Sequence, residues 1–290
     1  MLFRKRERFE RTDVPNPGPY TNIIGGAVIV VVAIALFFIV SNVADRVSKE
    51  TRLDDNTLAK QVSNQSSMTV TDERYSISQD TFTKILILKV ASADDVKSGT
   101  QLQSAHILAI REHTASNDDA SDSGDDSDEP EDAEQDTSSI TATLADISTD
   151  VKVTSGSTSA SLADLCSSQG AAACVLPLNS GANVKFSHVI VTTDSVLSAI
   201  QGLSGTDSSK LLEDSLDLVL KIRTDMTAKE LVALGDKISQ LGGVDAIVGF
   251  EAPTTAETAQ QTDGATYETG YQVIDKTGLC ASLGTLVSSD

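Results

Sequence analysis

KILILKV, Lys84–Val90, is rich in Ile, Leu and Val and is closed off by Ala91, Ser92, Ala93 and Asp94. A short continuous apolar run between turn signals reads as a buried strand. HILAIRE, His106–Glu112, reads as a second strand and SITATLADIS, Ser139–Ser148, as a third. Between the second and third lies Ser116–Asp136, with eleven acids and no base. Nothing in it supplies a core, so it is expected to be a disordered acidic insertion in a connection between strands. A calcium loop does not fit: Gly124 as the loop glycine leaves Ala120 and Pro130 at or near places that require ligands.

Toward the C-terminus the pattern alternates between periods. Residues 154–183 are rich in Ser, Ala and Gly and give no clear period. Val184–Thr192 reads as a strand, and Asp194 as the N-cap of a helix through Leu203. Leu211, Leu212, Leu216, Val219 and Leu220 form a helical stripe. Thr227 and Glu230 have capping-box spacing ahead of Leu231, Leu234, Ile238 and Leu241, and Gly242 supplies a stop. Val244–Phe250 and Tyr271–Ile274 read as strands, and Lys276–Val287 as an amphipathic helix. The expected class is α/β, a central mixed sheet covered by helices.

Toward the N-terminus, Thr21–Ala44 carries no charge and is almost wholly apolar from Ile23 to Val40. A helix needs about 20 such residues to cross a bilayer. Arg4, Lys5, Arg6, Arg8 and Arg11 precede it, so the positive-inside rule expects residues 1–20 in the cytoplasm and the rest outside. The nearest small residue at its end, Ala44, has Asn42 in the −3 place, so an uncleaved anchor in the lipid bilayer is preferred to a signal peptide. Residues 45–83 are polar with sparse apolar positions and are expected to form a stalk. The domain is then expected over residues 84–290.

The net charge of −20 sharpens once divided. The first twenty residues hold five bases and three acids, so the remainder carries −22. So acidic a surface repels phosphate backbones, which argues against nucleic acid as a partner. Cys166 and Cys174 lie eight apart, and in an oxidising compartment they are either a disulfide or two small buried hydrophobes. No CxxC and no nearby His accompanies them, so no metal site is expected. Neither GxSxG nor a Walker A spacing occurs. His106 and His113 read as structural. His188, alternating with Phe186 and Ile190, is retained as a candidate.

The order of elements resembles the LytR–CpsA–Psr family of cell-wall assembly proteins, from about Lys84 onward. KILIL (Lys84–Leu88) and SAHILAI (Ser104–Ile110) resemble its first core strands, and ATLADISTDVKV (Ala142–Val153) resembles its strand followed by Ile-Pro-Arg-Asp. KFSHVIVTTDSVLSAIQGLSG (Lys185–Gly205), TDMTAKELVALGDKISQLGGV (Thr224–Val244) and GYQVIDKTGLCASLGTLV (Gly270–Val287) are similar to its later strands and helices. The resemblance implies an envelope protein whose partners are cell-wall polymers or envelope assembly proteins. The family moves anionic glycopolymers from a polyprenyl pyrophosphate to peptidoglycan, gripping the pyrophosphate with several Arg while Asp assists a divalent metal.

Those motif residues are mostly replaced here. Gln103 and Ala105 stand where the family has Arg and Asp, with Ser104 matching between them. Ser148 and Thr149 stand where it has Pro and Arg, and only Asp150 matches. The Arg-rich segment expected after Gly205 is absent. Beyond Gln65 the chain holds only Arg74, Arg111 and Arg223. Lysine does not reproduce the bidentate grip of guanidinium on phosphate. The reading placed first is therefore a catalytically degenerate relative acting as a binding, scaffolding or regulatory partner, with no cofactor. The alternatives are a phosphotransferase rebuilt around Asp150, Ser104 and Lys152, with Mg²⁺, and a structural ectodomain. Arg111, Arg223, Lys152 and His188 are the candidate ligand-binding residues. Convergence of Lys152, Arg111 and Arg223 beside Asp150 is what distinguishes the first two readings.

Overall fold

The computed structural model describes residues 52–70, 72–113, 140–208, 215–260 and 266–289. The basic tail, the apolar stretch Thr21–Ala44 and the acidic run Ser116–Asp136 lie outside the described residues. Among the described residues no helix is long and apolar enough to cross a membrane.

Arg52–Asp290 forms one compact unit. Its centre is a six-stranded mixed sheet. In spatial order it runs β8 (Ile222–Thr224), β7 (His188–Thr192), β2 (Thr81–Val90), β3 (Leu102–Glu112), β4 (Ile140–Ile147) and β9 (Val248–Glu251). β2 pairs parallel with β7, and β4 with β9; the other neighbours are antiparallel. β2 begins three residues before the KILILKV run and is buried on both faces. Leu86, Leu88 and Val90 enter one core, Ile85 and Ile87 the other. Period-two alternation with apolar residues on both sides is what a central strand between two helical layers requires.

The first layer holds α1 (Asn56–Ser63), α2 (Leu162–Gln169), α3 (Val175–Ala182) and α7 (Lys276–Ser282). It buries Leu58, Leu162, Leu178, Phe186 and Leu279 to zero or nearly zero exposure. The second layer holds α4 (Leu197–Gln201), α5 (Leu216–Lys221) and α6 (Ala228–Gln240), with Ile200, Val219, Leu231 and Ile238 against Ile85, Leu108 and Ile190. α6 starts on the expected capping box: the Thr227 hydroxyl accepts from the Glu230 N–H, and the Glu230 carboxylate accepts from the Thr227 N–H.

Several expectations are corrected. The stretch assigned to a stalk is, from Arg52 onward, part of the domain: Leu58 of α1 is fully buried. Gln65 is buried too, its side chain accepting from the Phe186 N–H at 2.7 Å and donating to the Phe186 carbonyl. Asp194 caps no helix; α4 begins at Leu197 and its N-cap residue is Val196. The Asp194 carboxylate instead accepts from the next residue's N–H. Val244–Phe250 divides into a 3₁₀ turn, Val244–Ala246, and β9. The C-terminal helix stops at Ser282 and the chain returns as β12 (Leu286–Ser288), paired with β1 (Tyr75–Ile77). Two hairpins join these: β5 (Lys152–Ser155) with β6 (Thr158–Ser161), and β10 (Thr254–Gln260) with β11 (Thr266–Ile274).

Candidate functional site

The second helical layer leaves a cleft over one end of the sheet. Its walls are Ile87, Leu144, Val196, Leu197 and Val244, and its volume is about 280 Å³. Its polar end is built by strand register. Lys89 of β2 lies directly opposite Ser104 of β3, and His106 of β3 directly opposite Asp146 of β4. Ser104 and His106 are two apart on one strand, so they share the face that also carries Leu108. The segment from Thr192 to Ser198 closes the far side. It is held by the Thr192 hydroxyl, which donates to the Asp194 carbonyl and accepts from the Asp194 N–H.

The polar contacts are specific. His106 Nε2 lies 2.9 Å from Ser104 Oγ. His106 Nδ1 lies 3.4 Å from Asp146 Oδ1, an ion contact too loose to count as a hydrogen bond. Among the described residues on the lining, Lys89 is the only basic side chain besides His106. Among the described residues no carboxylate pairs with it.

The cations chosen from sequence are scattered, each already neutralised. Arg111 bridges to Asp80, which also receives His113 Nδ1 at 2.9 Å. Arg223 pairs with Asp55 at 3.0 Å and donates to the Ala93 and Asp94 carbonyls. Lys152 pairs with Glu257 at 2.7 Å and lies over the Tyr271 ring. Asp150 is exposed in the turn after β4, its N–H donating to Ser148 Oγ. Of the sequence candidates only Ser104 reaches the cleft. Among the described residues no group of His, Cys, Asp and Glu is placed to hold a metal ion.

Cys166 and Cys174 are buried free thiols, and Cys174 Sγ donates to the Leu162 and Gly170 carbonyls. The neighbouring Cys166 thiol and burial push the Cys174 thiol far above the usual range. His188 is half-buried above a small cavity of about 160 Å³ that Thr83, Ile85, Glu230 and Lys237 also line. Its Nδ1 lies 3.0 Å from Asp225 Oδ2, and Asp225 Oδ1 accepts from the Val189 N–H. The Asp225 hydrogen bond raises the imidazole's affinity for its proton; burial and Lys237 oppose this and Glu230 adds to it. A raised folded value means stabilisation that is fully present below the unfolded value of about 6.5 and is lost as pH rises through the folded one. Thermal midpoints of wild type and His188→Gln should therefore differ most at mildly acidic pH and converge in alkali. A difference that does not change with pH would contradict this.

No protein-family model and no curated protein matches this chain. One structural neighbour is a LytR-Csp2A-Psr enzyme. That protein, from Actinomyces oris, is 11% identical, with 78% of this chain and 100% of the other aligned at a TM-score of 0.41. TagV from B. subtilis is 9% identical, covering 72% and 96%, with a TM-score of 0.42. The transcriptional regulator yvhJ from Bacillus subtilis is 12% identical over 72% and 96%, with a TM-score of 0.43. The family that the sequence resembles is thus represented among the chain's structural neighbours.

In the sequence Lys89 and Asp146 carry no functional mark, His106 reads as structural and Asp194 as a helix cap. The available signal was alternation: Lys89 continues the face of Ile85 and Ile87, and Ser104 and His106 are two apart. The pairing of β3 with β4 that brings Asp146 to His106 has no sequence signal.

Proposed function

We infer that this protein is a membrane-anchored envelope protein, LytR–CpsA–Psr-like in fold, that serves cell-wall glycopolymer assembly as a binding or scaffolding partner without transferring the polymer. The observation that carries this is the dispersal of cations. Arg111, Arg223 and Lys152 are each spent on a carboxylate. Among the described residues the cleft offers a single ammonium, Lys89. A pyrophosphate needs several charge-assisted contacts in a site shielded from water, and one ammonium supplies too few.

Charge also bears on the kind of partner. The chain carries a net −20, so an anionic wall polymer is repelled unless divalent cations bridge it. A protein of the assembly machinery is the occupant these charges favour. Cross-linking in intact cells, with a photoreactive residue at an exposed position of β11, is the test. Recovery of envelope assembly enzymes supports the reading. Recovery of wall polymer alone, in the presence of chelator, would overturn it.

A further inference from the structure

We propose that Ser104, His106 and Asp146 form a serine nucleophile, base and orienting carboxylate that cleave carboxylic esters bearing an apolar acyl chain. The inference goes beyond the scaffolding role and does not rest on it. A nucleophile–base pair within hydrogen-bond reach, with a third group behind the base, is recognised by geometry and not by order in the chain. Here Oγ to Nε2 is 2.9 Å and Nδ1 to the carboxylate 3.4 Å. The second distance is long for an oriented pair, and such contacts shorten when substrate displaces water. Ser104 is fixed by its pairing with β2, and His106 and Asp146 by the pairing of β3 with β4, on strands and not on loops. The cleft beside them is apolar on Ile87, Leu144, Val196, Leu197 and Val244, which suits an acyl chain. Lys89 pairs with Ser104 across the two strands and lines the same cleft, so its ammonium is the charge available there to a developing oxyanion. The acidity of the whole chain favours an uncharged substrate over an anionic one.

The step balances without a cofactor. Ser104 Oγ attacks the ester carbonyl carbon as its proton passes to His106 Nε2. The tetrahedral oxyanion is met by Lys89. The C–O bond to the alcohol breaks as His106 returns the proton to the leaving oxygen, leaving an acyl group on Ser104. Water then attacks that acyl carbon, gives its proton to His106, and releases the acid as Ser104 regains its hydrogen. Asp146 is a positioning residue: its carboxylate, 3.4 Å from Nδ1, favours the imidazolium that forms as His106 takes the proton.

The test uses the full chain in detergent, a fluorophosphonate probe and p-nitrophenyl butyrate. One phosphonyl adduct per chain is expected, mapped by peptide mass spectrometry to Ser104, with ester hydrolysis above a no-protein control. Ser104→Ala should abolish both. His106→Ala should slow both by about 100-fold, the usual size of a lost general base. Asp146→Asn should lower kcat while leaving KM unchanged, a split that a merely structural role would not give. Because the adduct is read on the wild-type chain, the proposal does not depend on the variants folding. An adduct that is absent, or that maps to another residue, overturns it. So does equally fast labelling of a His106→Ala chain whose thermal midpoint is unchanged.

Discussion

Gly170→Ala should destabilise the domain by about 2–5 kcal/mol. Gly170 ends α2 with φ 86° and ψ 169°, a backbone region that is essentially reserved for glycine. Putting an L side chain there costs roughly 1–2 kcal/mol by itself. A Cβ would also lie 2.5 Å from the Val96 carbonyl oxygen, 2.7 Å from the Lys97 carbonyl carbon and 2.9 Å from the Ser98 oxygen. All three are backbone atoms. They cannot swing aside, so the 96–98 loop must move, at an overpacking cost of about 1–3 kcal/mol. The same loop accepts the Ala172 N–H at 2.9 Å, so moving it strains a second anchor. Gly156→Ala is the control. Gly156 also has positive φ, 61°, but a Cβ there meets nothing within 4 Å. It should show only the backbone cost. Urea midpoints at constant m-value separate the two. Equal losses in both variants would contradict the packing half of the argument.

Phe186→Ala should cost about 3–5 kcal/mol, the usual range for emptying an aromatic site in a core. Phe186 is 1% exposed and is among the largest fully buried side chains. It precedes β7 and lies in the first core with Leu58, Leu178 and Leu279. Its backbone is also where Gln65 clips the segment after α1 to the sheet, through the bonds to the Phe186 N–H and carbonyl. A collapsed site therefore loosens α1 as well. For a domain of this size the loss is a fall in thermal midpoint on the order of 10 °C. Phe186→Leu keeps most of the volume and should lose under about 1.5 kcal/mol. A Phe186→Ala midpoint within two degrees of wild type would show that the first core does not depend on this ring.

What was legible in the sequence follows from where periodicity is strong. KILILKV and HILAIRE carry apolar residues for both faces of a central strand, so their burial could be read directly. The Thr227 box and Gly242 stop were legible because capping chemistry is local. The β10–β11 hairpin was not. Thr254–Gln260 and most of Thr266–Ile274 are polar and exposed on both faces, so no alternation marks them. The 52–65 stretch reads as a stalk because its apolar residues are few: Leu58 is fully buried, Leu53 and Val62 only partly, and the bonds that bury Gln65 reach a residue 121 positions away. The C-terminal helix was overextended because Leu283 and Leu286 continue a helical spacing while the chain between them turns at Gly284. For the cleft, sequence supplied Ser104 by resemblance and nothing else. The ion pairs that occupy Arg111, Arg223 and Lys152 join residues between 31 and 168 apart, and such separations leave no sequence trace.

The central question is whether a chain with these dispersed cations moves a glycopolymer. The direct measurement gives the full-length protein in detergent a polyprenyl-pyrophosphate-linked glycopolymer, a peptidoglycan acceptor and Mg²⁺, and counts transferred polymer. The predicted result is transfer no faster than without protein. Thr149→Arg should not restore it, because phosphate-gripping contacts act together and are not recovered singly. Mg²⁺-dependent transfer by the wild-type chain, abolished by Asp150→Ala, would contradict the account.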